Sequence, residues 1–170
     1  GEVLCDLADW HIQLGHKFVA GGDENYLWEL KRAIEICDAV NAKYPLSPGR
    51  DRAANLKRSL LSVSTQLTLH DQVAPNQSTP ALLSWKNTDK VFFRIVKLPE
   101  TPQERYRYES SEERLKNYLK LSPLQTWKQQ LPNEGDLQMH RAEIKIPALP
   151  AGQYAIIGSQ DSLFRMENNE

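Results

Sequence analysis

The spacing of apolar residues changes from three-and-four to two at about residue 60, and a chain patterned this way places helices first and strands after. Upstream, Val3, Leu4, Leu7, Ala8, His11, Leu14 and Phe18 mark one helical stripe, which Gly21 and Gly22 end. Asp23 then suits the N-cap of a second helix whose stripe is Tyr26, Leu27, Leu30, Ala33, Ile34, Cys37, Val40 and Tyr44, closed by Pro45. Ser47 before Pro48 reads as an N-cap followed by proline at the first helical position, opening a third helix through about Leu60. Beyond it, Leu61, Val63, Thr65, Leu67 and Leu69 alternate with polar residues, the pattern of a strand with one wet face.

The alternation predicts further strands. Residues 81–86 form one, and Asn87, Thr88 and Asp89 turn the chain into a second over 91–98, expected to pair with the first as a hairpin. This second run is apolar on both faces and therefore central. Helical spacing returns between Pro99 and Pro123, where Ser110 and Glu113 fit a capping box and Leu115, Tyr118 and Leu119 share a face. A short strand is expected over 125–131. Residues 140–159 then read as a second hairpin: Ala142, Ile144 and Ile146 alternate with Arg141, Glu143 and Lys145, and Tyr154 to Ile157 return. Between them Pro147 and Pro150 lack backbone donors, and Gly152 is free to take a positive φ.

The expected fold class is α+β: a helical hairpin or three-helix region over 1–60, then an antiparallel β-sandwich over 61–166. A helical insertion interrupts the sandwich at about 101–122, and a frayed tail covers 167–170. Six strands can be counted, and a seventh is expected in Ser162 to Met166 or beyond the chain's end.

Composition narrows the function. Of 170 residues, 21 are Lys or Arg and 22 are Asp or Glu, so the net charge of −1 supplies no clustered positive field for nucleic acid or an anionic membrane. Lys86, Lys90, Arg94 and Lys97 are interleaved with aromatics, but the neighbouring acids make this a solvated face. No apolar run approaches the roughly 20 residues that span a bilayer. The chain opens on Gly1 rather than Met, so it is expected to be a piece of a longer protein.

Two cysteines are too few for a disulfide framework or a zinc site. Cys5 and Cys37 fall near the stripes of consecutive helices; two small buried residues is the reading taken, with a bridge as its alternative. His11 and His16 are five apart and miss the spacing that stacks two ligands on a helix, while His70 and His140 lie on strands whose pairing the sequence does not give. No metal and no cofactor is expected. Cys37 with His16 would be the one nucleophile and base on facing helices, but a thiol on an apolar stripe stays protonated, so no catalytic residue is assigned. Of the four tryptophans, Trp85 is expected in the sandwich core. Trp127, followed by Lys128 and Gln129, is read first as core or interdomain packing; a contact surface on an exposed edge strand, open to β-augmentation, is the alternative.

Three stretches together resemble a known family. LLSWKNTDKVFFRIVKL (82–98), GDLQMHRAEIKIPALPAGQYAII (135–157) and the helical insert between them are similar to the first macroglobulin-like domain of bacterial α2-macroglobulin family proteins of Bacteroidetes type. The resemblance spans about 60–165. It implies a seven-stranded sandwich acting as scaffold, with Trp85, Pro147, Pro150, Gly152 and Tyr154 shaping turn and core. It also implies neighbouring domains of a longer chain as partners, proteases as partners of that parent, and a periplasmic or surface-anchored place in the cell envelope. The family's thioester segment, C-x-E-Q, is absent: Cys37 is followed by Asp38, Ala39 and Val40. The helices more loosely resemble a tetratricopeptide repeat through Leu14, Gly15, Phe18, Ala33, Ile34 and Tyr44-Pro45, and a single such unit cannot bury its own apolar faces.

Overall fold

The computed structural model describes residues 1–22, 24–69, 73–99 and 110–165. It is α+β, with helices first and two small antiparallel sheets after. The chain divides into two compact units: residues 1–64, 85–87 and 133–140 form one, and 65–84, 88–132 and 141–170 the other.

The first unit is built on α1 (Glu2–Gly15), α2 (Glu29–Lys43) and α3 (Gly49–Leu61), with a single 3-10 turn at Glu24–Tyr26. Its core is made of small and branched residues. Cys5, Ala8, Leu30, Ala33, Cys37, Val40, Ala53 and Leu60 are buried together, with Leu4, Ile12, Ile34 and Leu56 packed around them. Gly15 sits at the α1–α2 crossing, where a Cβ would fall 2.5 Å from Leu30 Cδ2; the missing side chain is what lets Leu30 seat. The start expected at Ser47 and Pro48 falls one residue later, with Pro48 in the N-cap position and Gly49 first in the helix. Pro48 is already helical at φ −53°, ψ −30°, and the Gly49 N–H donates to Ser47 Oγ at 3.1 Å.

The first stripe differs from expectation. Helix α1 stops at Gly15, so Phe18 lies beyond it, and Val3 and Leu7 face outward while Cys5 and Ile12 face in. Small Cys5 and Ala8 allow close helix approach, which a stripe drawn through the largest residues does not anticipate. Helix α2 begins at Glu29 rather than after Asp23, because the chain first makes its 3-10 turn. Asp23 itself lies outside the described residues.

The strands are β1 (Ser64–Thr68), β2 (Thr79–Lys86), β3 (Lys90–Lys97), β4 (Pro123–Gln130), β5 (His140–Ile146) and β6 (Tyr154–Ser159), in two sheets ordered β1-β2-β5 and β4-β3-β6. Strand β3 is central, antiparallel to both neighbours, with Phe93 opposite Trp127 on one side and Gly158 on the other. Of the stretch 162–166, residues 162–165 form no strand: Phe164 takes φ 54° and is buried in a loop. Met166 and the tail lie outside the described residues.

Neither expected hairpin forms. Strands β2 and β3 belong to different sheets, and so do β5 and β6. At the first link Asn87 takes a left-handed φ of 56°, and its amide donates to the Leu60 and Ser62 carbonyls at 2.7 and 2.9 Å. At the second, residues 147–153 offer hydrogen bonds in two directions. The Leu149 carbonyl accepts from Asn76 N–H ahead of β2, and the Gln153 carbonyl from Leu98 N–H after β3. The two prolines cannot extend a ladder across this link, so the chain changes sheet.

Helix α4 (Ser111–Leu119) opens on the expected capping box: Glu113 N–H donates to Ser110 Oγ, and Ser110 N–H to Glu113 Oε2. The Ser110 N–H and the Ser110 hydroxyl both donate to Glu113 Oε2 and hold its carboxyl below its usual range. Leu115, Tyr118 and Leu119 pack on Val96, Ile157 and Phe164, so the helix covers one face of the β3 sheet. Residues 101–109 of the expected insertion lie outside the described residues.

Candidate interaction surface and structural corner

Residues 147–154 form a corner held by one side chain. Tyr154, the first residue of β6, donates its hydroxyl to the Pro150 carbonyl at 3.1 Å. The bond ties the start of β6 back to the backbone four residues upstream. Gly152 serves it by absence of a side chain: its Cβ would lie 3.1–3.3 Å from the Tyr154 ring and hydroxyl. Its φ of 158° is close to extended, so close approach rather than turn handedness accounts for this glycine. Removing the hydroxyl with Tyr154→Phe is expected to cost about 0.5–1.5 kcal/mol in urea unfolding. A Gly152→Ala change should add to it less than independently, because both act on one contact.

Beside the corner lies a cleft of about 650 Å³, bounded by Leu69, Leu98, Ile146, Leu149, Tyr154 and Ile156 among others. A second cavity of about 420 Å³ is lined from both sheets: Thr65, Leu67 and Leu83 on one side, Val91, Phe93, Ile156 and Gly158 on the other.

The candidate contact residues sit on β4, at the edge of its sheet. Trp127 is half-buried, its ring tilted against Phe93 at 5.1 Å between centroids; Lys128 is exposed and Gln129 half-buried. The tryptophan therefore spends one face on the core, leaving the strand's backbone edge and Lys128 outward. Trp85 is 3% exposed and groups with the helical unit, not with β3, and its ring stacks on His140 with centroids 5.7 Å apart.

Two of the four histidines are held by carboxylates. His11 Nδ1 lies 2.5 Å from Oε2 of buried Glu29, whose Oε1 accepts from Arg32 at 2.6 Å. His140 Nε2 lies 3.0 Å from Asp136 Oδ1, which also accepts from Gln138 N–H. His16 is exposed, whereas Cys37 is fully buried. His70 lies outside the described residues. Among the described residues no three His, Cys, Asp or Glu are grouped to hold a metal ion, and no helix is long and apolar enough to cross a membrane.

Both cysteines are free and fully buried, and Cys5 Sγ donates to the Gly49 carbonyl at 3.2 Å. Burial, then the neighbouring Cys5, pushes the Cys37 thiol from 9.0 to about 11. Neutral-pH alkylation of the folded chain should leave Cys37 unmodified, with both thiols reacting once urea unfolds it. Folding favours the neutral thiol, so this stabilisation is intact below pH 9 and declines as pH rises through 11. Urea midpoints compared across that window for the parent and Cys37→Ala should converge as pH rises.

Sequence reasoning passed over Asp136 and Gln138. Gln138 is buried and its amide donates to the Gly15 and Leu27 carbonyls at 3.2 and 3.3 Å, tying residues 133–140 into the helical unit. Leu137 between them holds a left-handed φ of 65° and joins the helical core. The local spacing Asp136–His140 was visible, but a glutamine reaching carbonyls more than a hundred residues away leaves no trace in local pattern. Comparison with protein-family models and with curated proteins finds no match to this chain.

Proposed function

We propose that this chain is a non-catalytic structural and interaction module of a large cell-envelope protein of α2-macroglobulin type. In this reading its sheets form a macroglobulin-like sandwich, and its helices form a repeat-like unit beside neighbouring domains of the same parent. The observation that carries it is the pair of sheet-changing links, the second closed by the Tyr154 corner, in a chain whose two sheets line one apolar cavity. Its informative residues, Pro147, Pro150, Gly152 and Tyr154, shape backbone and packing; protease trapping, if the parent performs it, belongs to segments other than these.

The parent reading frame tests this directly. Further sandwich domains downstream, with a C-x-E-Q segment among them, are expected, and so is protease entrapment by the intact parent. A frame that stops near Glu170 would sink the reading. A second reading, a peptide- or glycan-binding module, is favoured by the edge position of β4 with Lys128 outward. It predicts peptide or glycan retained through purification.

A further inference from the structure

Helix α1 has two apolar faces, and only one is used. Leu4, Cys5, Ala8, Ile12 and Gly15 turn toward α2 and α3. Val3, Leu7 and Trp10, spaced by four and three, form a second stripe that is 79%, 41% and 52% exposed. At 3.6 residues per turn the two faces lie roughly 140° apart, so no single neighbour covers both. Helices apolar on opposing sides are found between two packing partners.

The polar residues alongside indicate what the second partner carries. Glu2, Asp6 and Asp9 form a row on the same helix, 55%, 68% and 34% exposed at the side chain. Among the described residues one cation pairs with all three: Arg52 of α3, at 3.3, 2.8 and 2.5 Å respectively. Three carboxylates against one guanidinium leave a surplus of negative charge beside the apolar stripe. Helix α1 contains no Lys or Arg, so the same helix of a second copy brings no countercharge.

We propose that the Val3–Leu7–Trp10 face is the docking seam for another amphipathic helix, one whose apolar stripe is flanked by Lys or Arg. Leucines at matching spacing would cover Leu7 and Trp10, and the basic flank would meet the acidic row. This deepens the reading of the helices as an interaction unit and rests on that reading, but not on the sandwich assignment.

The test uses two synthetic helical peptides of about 18 residues with identical leucine stripes, one flanked by Lys and one by Glu, titrated against the whole chain. The Lys-flanked peptide is expected to bind at least about tenfold tighter, to weaken as salt rises, and to lose binding to Leu7→Glu. Val3→Glu, at the most exposed position, provides the same loss if Leu7→Glu disturbs folding. Equal binding of both peptides, binding indifferent to both substitutions, no binding, or dimerisation of the free chain through Trp10 would each overturn the proposal. Failed peptide binding leaves the parent-frame test standing, and a truncated parent frame leaves this seam standing.

Discussion

Phe93→Ala is expected to destabilise the sheet unit by about 3–5 kcal/mol, the range for deleting a buried aromatic ring. Phe93 is 1% exposed, on the central strand, with its ring against Trp127 on one neighbour and over Gly158 on the other. Gly158 leaves room for that ring: its Cβ would lie 3.4 Å from Phe93 Cε1. The ring also lines the 420 Å³ cavity, so its loss enlarges a void instead of letting neighbours close a small one. Urea unfolding followed by near-ultraviolet dichroism should show the lower midpoint, and Trp127 emission should report its new environment even where the fold survives. A loss under about 1 kcal/mol would mean that this face is not packed as described.

Leu30→Ala should cost the helical unit about 2–5 kcal/mol. Leu30 is 3% exposed and fills the notch left by Gly15, with Cys5, Ala8, Ala33 and Cys37 in the same core. Those neighbours are too short to collapse into the space, which puts the expectation toward the upper part of the range. The reverse change at the crossing, Gly15→Ala, tests the same fit from the other side. It drives a methyl into Leu30 and should destabilise rather than follow the usual helix gain of alanine over glycine. Helical dichroism against urea measures both. Stabilisation by Gly15→Ala would contradict the close crossing.

What the sequence made legible was local. The change of period near Leu60, the central position of β3, the Ser47-Pro48 helix start and the Ser110–Glu113 capping box each depend on a few adjacent residues, and each is seen, the helix start one residue later. Strand partners were not legible. Alternation says which face a residue takes, and Asn, Pro and Gly say where the chain reverses, but neither says which strand it then lies beside. At both links long-range hydrogen bonds accompany that choice, from Asn87 to Leu60 and Ser62 and from Asn76 to Leu149. The candidate surface was half legible in the same way. Polar flanks left Trp127 open between packing and an exposed edge, while its contact with Phe93 came from a register no local pattern encodes.

The proposed sandwich requires the two sheets to face each other. Nuclear Overhauser contacts between side chains of Thr65, Leu67 or Leu83 and those of Val91, Phe93 or Ile156 test it most directly, since these residues line the shared cavity. Several such contacts are expected in the intact chain. Contacts confined within each sheet, with none between the two sets, would contradict it.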